Sequence, residues 1–228
     1  MTNGQGINVR KRDGSLTPLN IDKIHKVVDE ACEGLGSGVS ASAVEMNSDL
    51  QFFDGIQTKD IHEILIKSAS DLISIENPNY QFVAARLLLY GVYKQVFGSE
   101  WVKGLPAVLD HCNNCIEKKV YDPEIVEKYT YEEWSKINSW IDHGRDNLFT
   151  YAGLRQVVDK YLVQDRSSSE VYETPQYMYM MIAVTLFRDY TDNRLEYIRR
   201  YYNAISKHKI NIPTPIMAGV RTPLRQFA

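Results

Sequence analysis

The sequence VRKRDGSLTPLNIDKIHKVVDEACEGLG, residues 9–36, predicts a β-hairpin that leads directly into an amphipathic helix. The first strand is predicted over residues 9–11, Asp13-Gly14 is a strong two-residue turn signal, and residues 16–19 return as the second strand. Asn20 is a good helix N-cap, and the residues that follow it place apolar side chains on one helical face.

The charges of this stretch predict an anion site. Lys11 and Arg12 fall at the hairpin tip and Lys23 in the first helical turn, whose open N–H groups are expected beside them. Helix N–H donors and the positive end of the helix dipole attract anions, and lysine and arginine add charge-assisted hydrogen bonds. This arrangement suits a polyphosphate better than a carboxylate. The alternative is a surface hairpin whose charges are merely solvated.

Length and composition limit the class of protein. The chain has 228 residues, is 44% hydrophobic and carries a net charge of −3, which indicates a globular protein without a general preference for nucleic acid or membrane. No run approaches the roughly 20 apolar residues of a membrane span, and the N-terminus is too polar for a secretory signal. Three cysteines are too few for a disulfide framework, so a reducing cytoplasm is expected.

Further helices are predicted behind the hairpin. Ser42 and Glu45 have the spacing of a capping box for a helix that extends to residue 53, and Thr58 is expected to cap a third helix. A fourth helix begins after Asn77-Pro78 and ends at Gly98. A hairpin on a four-helix bundle is large enough to fold alone, so residues 1–98 are predicted to form the first domain.

Residues 99–228 predict a second domain that is rich in helices. Thr130 and Glu133 form another capping-box pair, and residues 161–163 and 171–172 enclose a polar run that is typical of a small hairpin. The last segment, INIPTPIMAGVRTPLRQFA, has three prolines and is therefore not expected to be regular helix. Residues 210–212 are predicted to be a strand. The expected fold class is mainly α.

The motifs of the first domain resemble those of an ATP-cone, the nucleotide-binding domain at the head of many ribonucleotide reductases. The stretches that carry the resemblance are KRDGS (11–15), LNIDKIH (19–25), DGIQTKDIHE (54–63) and YQFVAARLLLY (80–90). The rest of the chain is similar to the N-terminal helical region of the class I large subunit, through DHGRDNLFTYAG (142–153), KYLVQD (160–165), YETPQYMYM (172–180) and PTPIMAGVRTPLRQF (213–227). The last of these motifs is highly specific.

The resemblance implies an effector-nucleotide site. In the family this site binds ATP or dATP, with Mg²⁺ expected; ATP permits activity and dATP suppresses it by changing subunit assembly. The matching positions are Lys11, Arg12, Thr17, Pro18, Leu19, Asn20, Ile21, Asp22, Lys23, Thr58, His62 and Lys94. Thr17 departs from the pattern, because relatives often carry an acid there. Thr214 matches a residue that helps to hold the ribonucleoside diphosphate substrate.

The resemblance also implies that catalysis needs other chains. In the family the RQF motif is soon followed by a redox-active cysteine, whereas this chain stops at Ala228. We therefore expect an N-terminal piece, from a split coding sequence or a truncation, that contains no catalytic residue and no redox cofactor and is inactive alone. Its expected partners are a C-terminal chain of the large subunit and a small radical-generating subunit, as a hetero-oligomer that makes DNA precursors.

Two other clusters have simpler interpretations. His111, Cys112 and Cys115 include a C-x-x-C pair, but they fall in the middle of a predicted helix without the further ligands of a closed zinc site, so no metal site is predicted. The cluster of Asp142, His143, Arg145 and Asp146 has the composition of a catalytic site, yet a structural network of ion pairs is the preferred interpretation.

Two rival functions remain. A DNA-binding regulator that senses nucleotides through an ATP-cone would need a zinc ribbon before the cone, and no cysteine precedes Val9. The acidic pI of about 6.0 also argues against a surface that binds duplex DNA. The second rival is a structural subunit whose cone no longer binds nucleotide. Thr17 favours it, whereas the set of cations opposes it.

Overall fold

The structure, a computed structural model, describes residues 6–11, 14–49 and 51–224 of the chain. Its strands are β1 Asn8–Arg10, β2 Leu16–Pro18, β3 Ile56–Gln57, β4 Gln164–Asp165 and β5 Glu170–Val171. Its α-helices are α1 Ile21–Cys32, α2 Ala41–Asp49, α3 Thr58–Asp71, α4 Tyr80–Phe97, α5 Val108–Glu117, α6 Glu124–Glu127, α7 Tyr131–Ser139, α8 Tyr151–Lys160, α9 Pro175–Phe187, α10 Arg194–Ser206 and α11 Thr214–Gly219. The prediction of a mainly α chain headed by a hairpin is confirmed.

The chain divides into two compact units. The first unit takes in the chain up to residue 91 together with residues 149–155, and the second unit takes in residues 92–148 and the chain from residue 156 onward. The predicted domain boundary at residue 98 stays a prediction. None of the helices given above has the length and apolar character that a membrane crossing requires.

The sheet of the first unit has one strand more than the predicted hairpin. Its order is β2-β1-β3, with β2 antiparallel and β3 parallel to β1. Asp54 holds β3 at this position, because its carboxylate accepts a hydrogen bond of 2.7 Å from the backbone N–H of Asn8. The Gly55 N–H then donates to the Asn8 carbonyl at 2.8 Å. The segment after α2 therefore contributes a third strand to the sheet.

The predicted helix caps of the first unit have mixed outcomes. Asn20 is the N-cap of α1 and its side chain accepts from the Lys23 N–H at 2.9 Å, as predicted. Ser42 is not a cap, because α2 begins one residue earlier and the Ser40 hydroxyl accepts from the Ala43 N–H. This helix ends at Asp49, before the predicted end at residue 53. Thr58 is also not a cap: it is the first residue of α3, and Gln57 occupies the N-cap position.

The core of the first unit lies between α1, α2, α3 and α4. The apolar side chains that these four helices contribute to the core are fully or almost fully buried, and they include Val28, Val44, Ile66, Val83 and Leu87. Arg86 of α4 fastens the end of α1, because its guanidinium donates to the backbone carbonyls of Glu33 at 2.6 Å and Ala31 at 3.2 Å. These carbonyls belong to the last turn and the C-cap residue of α1, where the helix leaves carbonyls without intrahelical donors, so the arginine acts as a C-terminal cap.

The second unit is built around α9. Residues 175–185 of this helix are all buried, which agrees with the largely apolar character of their sequence. The predicted capping box of Thr130 and Glu133 is confirmed at the start of α7. The Glu133 carboxylate also accepts a hydrogen bond of 2.6 Å from the guanidinium of Arg194, and this ion pair links α7 to the start of α10.

The last described segment corrects a prediction. Residues 210–212 form no strand in the described part of the chain, and residues 214–219 form helix α11 although proline was expected to exclude a helix. Pro215 lies in the first turn of α11, where its missing N–H would have no intrahelical acceptor. The RQF residues that follow, like Arg12, lie outside the described residues.

Candidate functional site

Lys11 and the N-terminus of α3 lie at the same edge of the three-stranded sheet. The parallel register pairs Val9 with Ile56 and Arg10 with Gln57. Since parallel strands end at the same edge, Lys11 and Thr58 both emerge there. Gln57 makes no side-chain capping bond to the first turn of α3, so its first N–H groups are not occupied by that residue. Exposed Lys11 and this helix start are together suited to an anion.

The start of α1 lies at the other end of the hairpin, which corrects its expected place beside the tip. The antiparallel register pairs Leu16 with Arg10 and Pro18 with Asn8. Leu19 continues in this direction, because its N–H donates to the Ile7 carbonyl at 2.9 Å. Three residues of strand, roughly 10 Å, therefore separate the start of α1 from the level of Lys11. The capping bond of Asn20 also occupies one of the first-turn N–H groups.

The predicted nucleotide ligands are thus spread along the hairpin and the two helix starts. Of these residues in the first unit, Thr17, Leu19, Thr58 and His62 are half-buried, and Lys11, Pro18, Asn20, Ile21, Asp22 and Lys23 are exposed. Main-chain hydrogen bonds bring Thr17 opposite Val9, in the middle of the ribbon. The structure places this part of the predicted set on connected elements, with the exception of Arg12, which it does not describe.

His62 lies one turn into α3 and packs against α4. A Cβ atom at Gly91 would lie 2.7 Å from Nε2 of His62 and 2.9 Å from its Cδ2, so only glycine leaves room for the imidazole. The ring centroid is also 5.8 Å from that of Tyr90. Gly91 therefore sets the position of His62. A glycine inside a helical pattern is the sequence signal for such a close approach. This signal does not reveal which side chain approaches, so Gly91 was not predicted to belong to the site.

Lys94 is the predicted ligand that belongs to the second unit. It is exposed in the last turn of α4, where a cation also complements the negative end of the helix dipole.

Thr214, the predicted substrate contact, is exposed at the first position of α11. Its hydroxyl lies 3.4 Å from the hydroxyl of Tyr161, and the Gln156 amide donates to the same tyrosine at 3.4 Å. The bond with Thr214 lowers the pKa of Tyr161. Sequence reasoning missed Tyr161, because 53 residues separate it from Thr214 and no local pattern links them.

A buried ion pair supports this pair of hydroxyls. Arg221 and Glu173 are both fully buried, and the arginine Nε donates to the carboxylate at 2.8 Å. The same guanidinium donates to the Met217 carbonyl at 2.6 Å and the Tyr161 carbonyl at 2.9 Å. Tyr121 donates its hydroxyl to Glu173. One arginine therefore fastens α11 to the segment that carries Tyr161.

The cysteine pair lies in a structural environment. Cys112 and Cys115 are buried within α5, and burial raises the pKa of Cys112 to about 12 and that of Cys115 further. Burial also lowers the pKa of His111 to about 4, and its ring stacks on Tyr177 at 4.4 Å. Thiolates are the reactive form of cysteine, so this environment opposes redox chemistry. Over the ranges that the structure covers, no group of three acidic, histidine or cysteine side chains is arranged to hold a metal ion.

The second cluster forms a structural network, although hydrogen bonds to uncharged groups take the place of most of the predicted ion pairs. Arg145 pairs with Asp142 at 3.2 Å and donates to the Ser206 hydroxyl at 2.6 Å. Buried Asp146 accepts from the Tyr93 hydroxyl and the Gln176 amide, each at 2.8 Å. Burial raises the pKa of Asp146 to about 7 although both hydrogen bonds favour its ionised form. These contacts link separate elements of the second unit. A structural role therefore accounts for these residues, and no catalytic role is needed.

Comparison with known proteins identifies both parts of the chain. Residues 7–95 match the ATP cone domain, and residues 147–225 match the all-alpha domain of ribonucleotide reductase. The chain therefore carries an ATP cone domain followed by an all-alpha domain of ribonucleotide reductase, which is the domain content of the N-terminal part of a class I reductase α subunit.

Named relatives are α subunits of this enzyme. The chain is 48% identical over 225 residues to ribonucleoside-diphosphate reductase 1 subunit alpha of Escherichia coli (strain K12). It is 41% identical over 226 residues to the α subunit of enterobacteria phage T4 and 36% identical over 223 residues to that of Helicobacter pylori (strain ATCC 700392 / 26695). These alignments cover 97–98% of the chain but only 27–29% of each relative.

Proposed function

We propose that this chain is the effector-binding N-terminal part of a class I ribonucleoside-diphosphate reductase large subunit. Its first unit binds ATP or dATP, with Mg²⁺ as the accompanying cation. The observation that carries the proposal is the shared sheet edge, where Lys11 and the start of α3 emerge side by side from parallel strands. This edge provides a cation and backbone N–H donors for a phosphate chain.

The spread of the predicted ligands favours an elongated molecule. Thr58 and Lys11 lie at one end of the ribbon, and residues 19–23 begin at the other end, roughly 10 Å away. A single small anion cannot contact both ends, whereas a nucleotide has a phosphate chain at one end and a base at the other. The proposed ligands are Lys11, Arg12, residues 17–23, Thr58, His62 and Lys94.

The activity of the whole protein is the second part of the proposal. The relatives are named as ribonucleoside-diphosphate reductases, so we assign this chain to the reduction of a ribonucleoside diphosphate in a complex. A C-terminal part of the large subunit supplies the thiols, and a small subunit generates the radical. Thr214 contacts the substrate in the assembled enzyme. The chain alone is inactive, holds no redox cofactor and acts in the cytoplasm.

Equilibrium binding of dATP to the full chain tests the effector site. Lys11→Ala should weaken binding at least tenfold, because a charge-assisted hydrogen bond is worth about 1.5–3 kcal/mol. Lys67→Ala is the matched control, since Lys67 is an exposed lysine of α3 that pairs with Asp71 near the other end of that helix. The control should bind dATP as the wild type does.

The outcome also separates the rival functions. If well-folded wild-type protein fails to bind dATP, the structural subunit suggested by Thr17 becomes the better interpretation. If binding persists unchanged in Lys11→Ala, the sheet edge is not the phosphate site. The catalytic part is tested separately, by mixing the chain with a C-terminal part and a small subunit and measuring thioredoxin-dependent reduction.

A further inference from the structure

An open cleft of about 560 Å³ lies in the second unit and is built on elements other than helix α11, which begins at Thr214. Its lining comes from the end of α9, from α10 and from the residues just after α10, and it includes Phe187, Tyr197, Arg200, Tyr201, Lys207 and Lys209. None of these residues belongs to the proposed nucleotide or substrate contacts. The cleft therefore needs its own explanation.

Aromatic rings form the floor of the cleft. The Phe187 and Tyr197 rings stack with centroids 5.7 Å apart at 28°, and Tyr201 meets Phe187 edge-on at 5.6 Å. Tyr190 extends the cluster and is 51% exposed, and Tyr197 is 36% exposed. Such a pre-ordered aromatic surface offers a large contact area for an apolar or aromatic side chain with little loss of conformational freedom.

The rim of the cleft is basic. Arg200 contacts Glu196 at 3.6 Å on the surface of α10. For Lys207 and Lys209, no carboxylate in the described chain lies within ion-pair distance. Asp189, a nearby acid on the sequence, already pairs with Lys128 at 2.8 Å and Arg188 at 3.5 Å. A local excess of positive charge on a chain of net charge −3 indicates an acidic occupant.

We propose that this cleft docks an acidic peptide segment of a partner protein that carries an aromatic or large apolar anchor residue. The anchor packs on the rings of Phe187, Tyr197 and Tyr201, and the carboxylates meet Arg200, Lys207 and Lys209. A peptide suits the site better than a nucleotide, because small-molecule pockets enclose most of their ligand whereas this cleft is open along a helix face.

Fluorescence anisotropy on the full chain tests this proposal. The probes are a set of fluorescein-labelled nine-residue peptides, each with six acidic residues and one phenylalanine. The phenylalanine occupies a different central position in each peptide of the set. We expect binding that weakens at least tenfold in Lys207→Glu/Lys209→Glu and at least tenfold when the peptide phenylalanine becomes alanine. Binding should also weaken at 0.5 M salt, since salt screens surface charges.

Matched controls keep the result specific to the cleft. Lys136→Glu/Lys160→Glu makes the same change of charge at exposed positions of α7 and α8 and should leave peptide binding within twofold of the wild type. Tyr197→Ser tests the aromatic floor without changing charge and should also weaken binding. Circular dichroism and thermal unfolding confirm that each variant is folded.

Three results would overturn the proposal. The first is that none of the peptides binds the folded wild-type chain. The second is that both charge-reversed double variants lose binding equally, which would indicate only general attraction. The third is that ATP competes with the peptide in the Lys11→Ala variant, which would make the cleft a nucleotide site.

Discussion

His25 is held between two carboxylates on the surface of the first unit. Its Nδ1 lies 2.7 Å from Glu45 of α2, and its Nε2 lies 3.0 Å from Asp29 of its own helix. The hydrogen bond and charge of Glu45, followed by the charge of Asp29, raise the pKa of His25 above its ordinary value of 6.5. The protonated imidazole therefore links α1 to α2.

This arrangement predicts a measurable pH dependence. Because the folded-state pKa is raised, the contribution of His25 to stability is fully present below pH 6.5 and is lost as the pH rises through the folded pKa. Glu45→Gln should bring the pKa of His25 down towards 6.5. A titration of the His25 ring followed by NMR gives both values. A wild-type pKa at or below 6.5 would show that the link is not formed in solution.

Glu173 and Arg221 predict a large effect on stability. Glu173→Gln leaves the charge of fully buried Arg221 without its partner, so it should lower the free energy of unfolding by about 3–5 kcal/mol. Replacing both residues, as Glu173→Leu/Arg221→Met, should lower the free energy of unfolding by less than the single change does. The reason is that neither buried charge of the pair remains at this site. Urea unfolding measures both. A single-variant loss below about 1 kcal/mol would contradict the proposed buried pair.

At the level of whole elements, local chemistry decided which predictions succeeded. Asn20 and the pair of Thr130 and Glu133 are confirmed caps, because a cap is a bond between a side chain and the backbone two or three residues away. The strand β3 was missed, because its two residues gain their partners only from β1, 47 residues earlier in the chain. Helix α11 was missed because three prolines were counted without regard to their position in the turn.

The site was predictable to a similar extent. Motif resemblance supplied the residue types, and the structure connects most of them through the hairpin and α3. What the sequence did not supply was their spacing: the register of the ribbon places Lys11 and the start of α1 at opposite ends. Gly91 and Tyr161 lacked a role for the same reason, since their partners lie on other elements.

The packing of α3 on α4 gives a prediction about the nucleotide site. Gly91→Ala places a methyl group within 2.7 Å of the His62 ring, so the imidazole must move away from its present position. If His62 contacts the nucleotide, dATP should bind at least fivefold more weakly to this variant. The helix itself should not suffer, because alanine is favoured over glycine in a helix by about 1 kcal/mol.

A second background separates this effect from a general loss of stability. In His62→Ala the ring is absent, so there is nothing for the added methyl group to displace. The double variant His62→Ala/Gly91→Ala should therefore bind dATP as tightly as His62→Ala and should be no less stable to unfolding. Calorimetric titration of the four proteins gives the comparison. Equal losses from Gly91→Ala in both backgrounds would mean that the glycine acts independently of His62.

On the scale of the whole molecule, ligand binding should stabilise the two compact units unequally. At a concentration of 100 times its Kd, dATP adds about 2.7 kcal/mol to the free energy of any opening that destroys its site. Amide hydrogens of β1, α1 and α3 that exchange by such openings should therefore slow by about 100-fold. Those of α9 and α10 that exchange by local opening of the second unit should be unchanged.

Hydrogen exchange with detection by mass spectrometry measures this difference. The Lys11→Ala variant is the control, because it should lose the protection at the same concentration of dATP. Slower exchange in α9 and α10 alone, with β1 and α3 unaffected, would place the nucleotide away from the proposed sheet edge.

The first compact unit is discontinuous in sequence, since it recruits residues 149–155, including buried Leu154 and Arg155, which lies 3.8 Å from Glu63. During translation this unit therefore stays incomplete after its four helices have left the ribosome. At about 5–20 residues per second, several seconds pass before the missing piece is synthesised. In that interval the nascent chain lacks Leu154 and Arg155, so the contacts that these two residues make in the first unit cannot yet form.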